Sequence, residues 1–158
     1  MAAFDMTSLR IRKATAEDLG TLRAFQQGVV AAERPFDPTL KPGNLEYYNL
    51  EALLTDPQVQ LVVAEEAGRV VGSGYARIEP AKPYLQHQQY TYLGFMYVDP
   101  DYRGRGLNTQ ILEALRQWTA AQGVTEMRLE VYFENQAARR AYEKFGFSNH
   151  MLEMRMAV

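Results

Sequence analysis

Between Met96 and Thr109 an apolar run ends at Asp99-Pro100, then two arginines and two glycines alternate before an amphipathic stretch begins. The residues read Met96-Tyr97-Val98-Asp99-Pro100-Asp101-Tyr102-Arg103-Gly104-Arg105-Gly106-Leu107-Asn108-Thr109. This order predicts a strand, a loop of nearly bare backbone, and the first turn of a helix. Glycine lets a ligand approach the main chain closely. A helix N-terminus offers unpaired N–H groups and a partial positive charge, which together favour an anion such as phosphate. Two familiar phosphate loops are excluded. A Walker loop needs Gly-Lys-Ser/Thr after its second glycine, and here the residues are Gly106-Leu107-Asn108. A dinucleotide fingerprint needs a third glycine where Thr109 stands, and a place near the first strand. The two glycines alone leave a plain turn and a phosphate site equally open.

The context decides between them. Arg103-Gly104-Arg105-Gly106-Leu107-Asn108 resembles the Arg/Gln-x-x-Gly-x-Gly/Ala pyrophosphate loop of the GNAT superfamily of acetyl-CoA-dependent N-acetyltransferases. One position departs: the last is Asn108 rather than Gly or Ala. Asparagine tolerates left-handed backbone and caps helices, so its side chain is expected to cap the following helix or to bond the cofactor. A second segment, Asn135-Gln136-Ala137-Ala138-Arg139-Arg140-Ala141-Tyr142-Glu143-Lys144-Phe145-Gly146-Phe147, resembles the Asn-x-x-Ala-x-x-x-Tyr-x-x-x-Gly-Phe helix of the same superfamily. Read from its residues alone, Asn135 is an N-cap, Ala138, Ala141, Tyr142 and Phe145 share a helical face, and Gly146 stops the helix. The resemblance is sharp from Leu93 to Phe147 and topological before it.

Composition sets the outer bounds. The chain has 158 residues, 47% hydrophobic and 23% charged, which suits one soluble domain spanning 1–158 with a single core. A net charge of −2 argues against a nucleic-acid binder, and no apolar run reaches the ~20 residues of a membrane span. Met1-Ala2-Ala3-Phe4-Asp5 lacks the basic and apolar regions of a signal peptide. Cysteine is absent, so disulfides and a cysteine nucleophile are excluded and a reducing cytoplasm is the default setting. His87 and His150 are far apart, so no metal is expected, and both read as loop or turn residues.

Along the chain, Leu9–Lys13 alternates as a strand and Thr15 to Asp18 offers a cap. Leu19, Leu22, Phe25, Val29 and Val30 mark a helix to about Ala32. Prolines 35, 38 and 42 forbid regular structure after it. A shorter helix is expected over Tyr47 to Leu54, followed by strands Gln60–Glu65 and Val70–Ile78 around an Ala67-Gly68 turn. Pro80 to Gln88 is a loop, Tyr90–Val98 a strand, Leu107–Gln122 a helix and Met127–Phe133 a strand. After the Tyr142 helix comes a last strand, Leu152–Met156. This β-α-α-β-β-β-α-β-α-β order matches the GNAT acyltransferase fold: α/β (α+β), with a central, mixed, twisted sheet and helices on both faces. The family usually closes with two strands, and the penultimate one is vestigial here.

The resemblance implies roles. Acetyl-CoA is the cosubstrate, its pyrophosphate on Arg103, Gly104, Arg105, Gly106, Leu107, Asn108 and Thr109. Its pantetheine arm lies on the main chain of Met96, Tyr97 and Val98, where one N–H polarises the thioester carbonyl. Asn135 and Ala138 contact the cofactor. Tyr142 is the general acid, because a phenol of reference pKa ~10 stays protonated at neutral pH and can donate to a thiolate. Arg139, Arg140 and Lys144 either reach the 3′-phosphate or form a solvated basic face. For the base, Glu79, Glu33, Glu130 and a water chain stay open, Glu130 also being a partner for Arg128 or Arg77. The acceptor is expected between the Glu33-to-Gly43 loop and the Pro80-to-Tyr92 segment. There Tyr75, Tyr84, Tyr90 and Tyr92 suit an amine, unless they are only half-buried sheet tyrosines, and Arg34 suits a carboxylate. The partners are therefore acetyl-CoA and an amine acceptor, with a homodimer left open and neither nucleic acid nor membrane. Three functions fit: acetylation of a primary amine on a small molecule, acetylation of a protein N-terminus or lysine, and a non-catalytic acyl-CoA or metabolite sensor.

Overall fold

A computed structural model describes residues 8–158; the N-terminal residues weighed above as a signal peptide lie outside them. Five strands form one sheet in the order β1 (Leu9–Lys13), β2 (Val59–Glu66), β3 (Arg69–Pro80), β4 (Gln89–Val98) and β5 (Met127–Leu129). The first four are antiparallel neighbours, and β5 joins β4 in parallel. Helices α1 (Leu19–Glu33) and α2 (Leu50–Thr55) cover one face, while α3 (Leu107–Ala121) and α4 (Gln136–Phe145) cover the other. Strand β2 shows why both faces need covering. Leu61 and Val63 pack with Leu22, Phe25 and Leu53, whereas Val62 and Ala64 pack with Ile111, Leu112 and Leu115. Alternate side chains of a strand point to opposite faces, so an unbroken apolar run requires a layer on each side. No helix among the described residues is long and apolar enough to cross a membrane.

Local chemistry sets most boundaries. The β2–β3 turn places Ala67 at φ 47° and Gly68 at φ 80°, the two positive values a tight hairpin turn requires. Asp18 accepts from the Thr15 amide at 2.8 Å and takes two bonds from Arg12, at 2.8 and 2.9 Å, where α1 begins. Helix α2 starts later than its apolar spacing suggests. The buried Gln26 carboxamide oxygen accepts from the amides of both Tyr47 and Tyr48 at 2.8 Å, holding them outside the helix. Asn49 then caps it, its Oδ1 accepting from Ala52 N at 3.1 Å.

Two expectations fail on the carboxy side of the sheet. Strand β5 stops at Leu129 rather than Phe133, because β4 turns away from it after Leu93 and residues 130–133 have no ladder to join. The expected last strand, Leu152–Met156, does not form: its residues are exposed and make no ladder. Among the described residues the strand count is therefore five, and α4 is the final regular element.

Candidate active site

The site is built on an irregularity in β4. Ser73 of β3 pairs with Tyr97 of β4, and Tyr75 pairs with Gly94, so β4 carries one extra residue opposite Gly74. Phe95 sits in this bulge at φ 56° while only 1% exposed. A bulky residue with positive φ is strained by about 1–3 kcal/mol and persists only where its surroundings fix it. Three contacts do so. The Ser73 hydroxyl donates to the Phe95 carbonyl at 2.9 Å in a buried site. The Tyr48 ring lies 4.8 Å from the Phe95 ring. The Tyr75 ring fills the space over Gly94, where any Cβ would come within 2.5 Å of it. The consequence is a gap: β4 and β5 pair only over Thr91–Leu93, and the edge of β4 from Gly94 to Val98 faces an opening. Tyr97 packs its ring on Phe25 at 4.6 Å, over Gly28, where a Cβ would lie 2.5 Å from that ring. Met96 points to the α3 side, within the cluster around Ile111.

At the end of β4 the glycine loop turns the chain into α3. Gly104 and Gly106 have φ of 75° and 80°, and a Cβ at either would meet nothing within 4 Å. They are therefore required for backbone conformation, and the space above them is open. Gly106 is the N-cap of α3, and no side chain caps that end, so the first amides of the helix remain available to a ligand. Asn108 lies in the second position of α3 and does not cap it; its side chain lines the cleft instead. Arg103 donates to the Val98 carbonyl at 2.9 Å and lies over the Tyr97 ring, while Arg105 lies over Tyr102. Helix α3 is fixed beneath by the Thr91–Thr119 hydroxyl pair at 2.9 Å and by Leu107, Ile111, Leu112 and Leu115. The loop forms one wall of a cleft of about 620 Å³, and Ala141, Lys144 and Phe145 of α4 form the other. Of the three basic residues of α4, only Lys144 lines this cleft. Arg139 donates to the Phe133 carbonyl at 3.0 Å.

Helix α4 places Tyr142. Asn135 Oδ1 accepts from Ala138 N at 3.2 Å, and Gly146, at φ 132°, ends the helix with its amide on the Tyr142 carbonyl at 3.1 Å. Ala138, Tyr142 and Phe145 are half-buried on one face, but Ala141 is exposed to the cleft. The Tyr142 ring meets Phe147 edge-on at 5.9 Å. Burial, and then the charge of Glu33, pushes its hydroxyl up to about 12, so it keeps its proton at neutral pH.

Glu33, at the last turn of α1, is the electrostatic centre of the opposite side. Burial raises its carboxyl above the ordinary value, and contact with the Tyr47 hydroxyl partly opposes this. The Tyr47 hydroxyl is buried without a hydrogen-bond partner of good geometry, and burial followed by Glu33 pushes it up to about 12. Tyr48 and Tyr132 are raised by burial first and by Glu33 second. The charge of Glu33 thus acts on phenols of three other segments: Tyr47 and Tyr48 before α2, Tyr132 after β5, and Tyr142 of α4. Tyr75 and Tyr92 adjoin this cluster, both raised by burial, with Glu130 acting on each and Arg77 placed over both rings.

The other expected residues are used differently. Arg34 donates to the carbonyls of Lys41 and Gly43 and so closes its own loop. Tyr84 is 79% exposed on the 81–88 loop. Glu79 is paired with Arg77, and Tyr90 lies under Arg128. Sequence reasoning missed Tyr47, Tyr48, Tyr132 and the Ser73–Phe95 bond. Only the tyrosine pair beside Asn49 carried a signal, and helical spacing drew it into α2.

A five-stranded sheet split between β4 and β5, with a glycine loop at the mouth of the split, defines an acyl-CoA-type transferase architecture. The model of the acetyltransferase (GNAT) family matches residues 25–147, and the chain belongs to that family of acetyl-CoA-dependent N-acetyltransferases. It is 33% identical over 111 residues to an acetyltransferase of Sodalis glossinidius, covering 68% of this chain and 70% of that one. Among solved structures it resembles a predicted acetyltransferase of Clostridium acetobutylicum with acetyl-CoA (TM-score 0.75, 20% identity, 93% and 96% of the two chains). It also resembles AAC(6')-Iy in complex with a CoA-S-monomethyl-acetylneamine bisubstrate analogue (TM-score 0.74, 20% identity, 95% and 99%).

Proposed function

We propose that this protein transfers the acetyl group of acetyl-CoA to the primary amine of a small cationic molecule. The observation that carries the acceptor half is the half-buried Glu33 carboxylate, which meets the Tyr47 hydroxyl and whose charge raises Tyr48, Tyr132 and Tyr142. A half-buried carboxylate beside phenols attracts a cation through its charge. The α1–α2 segment brings Tyr47 and Tyr48 to this end, which favours a compact acceptor over a polypeptide. AAC(6')-Iy, a structural neighbour, is seen in complex with the bisubstrate analogue CoA-S-monomethyl-acetylneamine.

The residues fit acetyl-CoA. The uncapped start of α3, the open space over Gly104 and Gly106, and Lys144 on the facing wall suit a pyrophosphate. Asn108, in the second position of α3, bonds the ligand from the cleft wall, with Arg103, Arg105, Leu107 and Thr109 shaping the loop around it. The unpaired edge of β4 at Met96, Tyr97 and Val98 offers main-chain groups to the pantetheine arm. An N–H of that edge faces the thioester carbonyl as charge develops. Glu33 takes the proton of the incoming ammonium, and its raised pKa brings it nearer to that task than an ordinary glutamate. Tyr142 gives its phenolic proton to the departing thiolate. Asn135 and Ala138 serve by fixing the start of α4.

Thiol release from acetyl-CoA, measured against a panel of small amines and of peptides bearing free N-termini or lysines, tests this reading. Turnover is expected with small di- or polycationic amines and not with peptides. Preference for peptides would transfer the proposal to protein acetylation, and binding without turnover on any amine would favour a sensor.

A further inference from the structure

Residues 44–49, the strap between the proline loop and α2, form neither helix nor strand, so their backbone groups need partners from elsewhere. Two adjacent carboxamides of α1 supply them. Gln26, only 4% exposed, accepts from the amides of both Tyr47 and Tyr48 at 2.8 Å through one oxygen. Gln27 donates to the Leu45 carbonyl at 2.8 Å and accepts from its amide at 3.3 Å. This seat belongs to the same helix face as the carboxylate it serves. Gln26 and Glu33 lie two turns apart along α1. Tyr47, held in this way, meets Glu33 through its hydroxyl. Tyr48 lays its ring 4.8 Å from Phe95 in the β4 bulge and edge-on to Tyr75 at 5.9 Å. The neighbours of Gln26 serve the other half of the reaction: Phe25 packs on Tyr97, and Gly28 leaves room for that ring.

We propose that Gln26 is the positioning residue of the acceptor site, seating Tyr47 against Glu33 and Tyr48 against the β4 bulge and so fixing the walls that receive the amine. The inference rests on the small-amine reading above and adds the residue that shapes its site. An apolar side chain at this position would fill the same space and leave two amides unpaired, so the strap would lose its seat. Phe25, Gly28 and Tyr97 would keep their packing, so the cofactor half would be spared.

The test is steady-state kinetics of Gln26→Met and Gln26→Glu in the full chain, using the best acceptor among putrescine, cadaverine and spermidine. Circular dichroism confirms that each variant is folded. Methionine keeps the length of the side chain and loses the accepting oxygen, whereas glutamate restores an oxygen for both amides. Gln26→Met is expected to raise KM for the amine about tenfold to a hundredfold, with acetyl-CoA affinity at the native level. Gln26→Glu is expected to stay within about threefold of the native KM, because its seat is intact. The pH profile separates seating from general stability. Tyr47 and Tyr48 before α2, Tyr132 after β5 and Tyr142 of α4 face Glu33, with Arg34 beside Tyr47 and Asp37 beside Tyr132. Burial is the main reason that the Glu33 pKa lies above 4.5. Freeing the strap should therefore lower the acid limb of kcat/KM toward 4.5, whereas Tyr47→Phe removes only the contact that opposes burial and raises it. An unchanged amine KM in Gln26→Met would overturn the proposal, as would a loss spread equally over amine and acetyl-CoA. So would a Gln26→Glu enzyme whose amine KM rises about tenfold, a result that decides the case even where Gln26→Met does not fold. A native enzyme that acetylates none of the three amines would remove the small-amine reading, and this proposal with it.

Discussion

Ser73→Ala tests the bulge on which the site depends. The hydroxyl it removes is fully buried and donates to the Phe95 carbonyl at 2.9 Å. Leaving that carbonyl without its donor costs about 1–3 kcal/mol. In a protein of this size 1 kcal/mol moves the melting temperature by about 2–4 °C, so a loss of roughly 2–12 °C is expected. The loss has a functional counterpart. Phe95 holds a strained φ of 56°, and without the Ser73 bond the chain can release that strain by reverting to a regular ladder. Removing the extra residue from the register turns Met96, Tyr97 and Val98 each to the opposite face, taking Tyr97 off Phe25 and displacing the glycine loop. Differential scanning calorimetry and acetyl-CoA titration should therefore change together. A variant that melts within about 1 °C of the native protein and binds acetyl-CoA normally would refute the argument, because Ser73 would then contribute neither stability nor shape.

Further outcomes follow from the same geometry. Gly106→Val faces open space, so its cost is conformational: a β-branched residue at φ 80° is strained by about 1–2 kcal/mol, and calorimetry should show acetyl-CoA binding weakened about tenfold. Glu33 must be ionised to accept a proton, and its raised pKa means that this form is lost as pH falls through a value above the ordinary 4.5. The acid limb of kcat/KM should accordingly lie above that value. Tyr47→Phe, which deletes the contact that lowers Glu33, should move the limb to still higher pH; a shift the other way would exclude Glu33 as the base. Asp37, held down to about 2 chiefly by Thr39 and then by Arg155, contributes stability that is present above the unfolded value of 3.8 and lost as pH falls toward 2. An NMR titration of its carboxyl in Arg155→Ala should show an upward shift.

Much of this was legible in the residues, and the parts that were not share a cause. The glycine loop, the Asn135 cap, the Gly146 stop and the tight Ala67-Gly68 turn are local: the backbone conformation follows from the residue that adopts it. The β4 bulge is not local. Phe95 takes a conformation its own chemistry disfavours because Ser73, Tyr48 and Tyr75 hold it there. The same bulge shortens β5, since a partner strand cannot follow a ladder that turns away. Tyr47 and Tyr48 were drawn into α2 by spacing and withheld from it by Gln26, a contact across about twenty residues of sequence that no window on the chain reveals. Leu152–Met156 has the alternation of a strand but no neighbouring strand among the described residues. Pattern defines what a segment can do, and a partner decides whether it does so.

The most direct test of acetyl transfer at the β4 gap is the single-turnover rate of Tyr142→Phe with acetyl-CoA and an accepted amine. Only the hydroxyl is removed, and the ring keeps its edge-on contact with Phe147. If Tyr142 protonates the leaving thiolate, the rate should fall by about 10²–10⁴ while acetyl-CoA affinity stays at the native level. A native rate in that variant, with chemistry limiting, would contradict the account and leave Tyr142 as a packing residue.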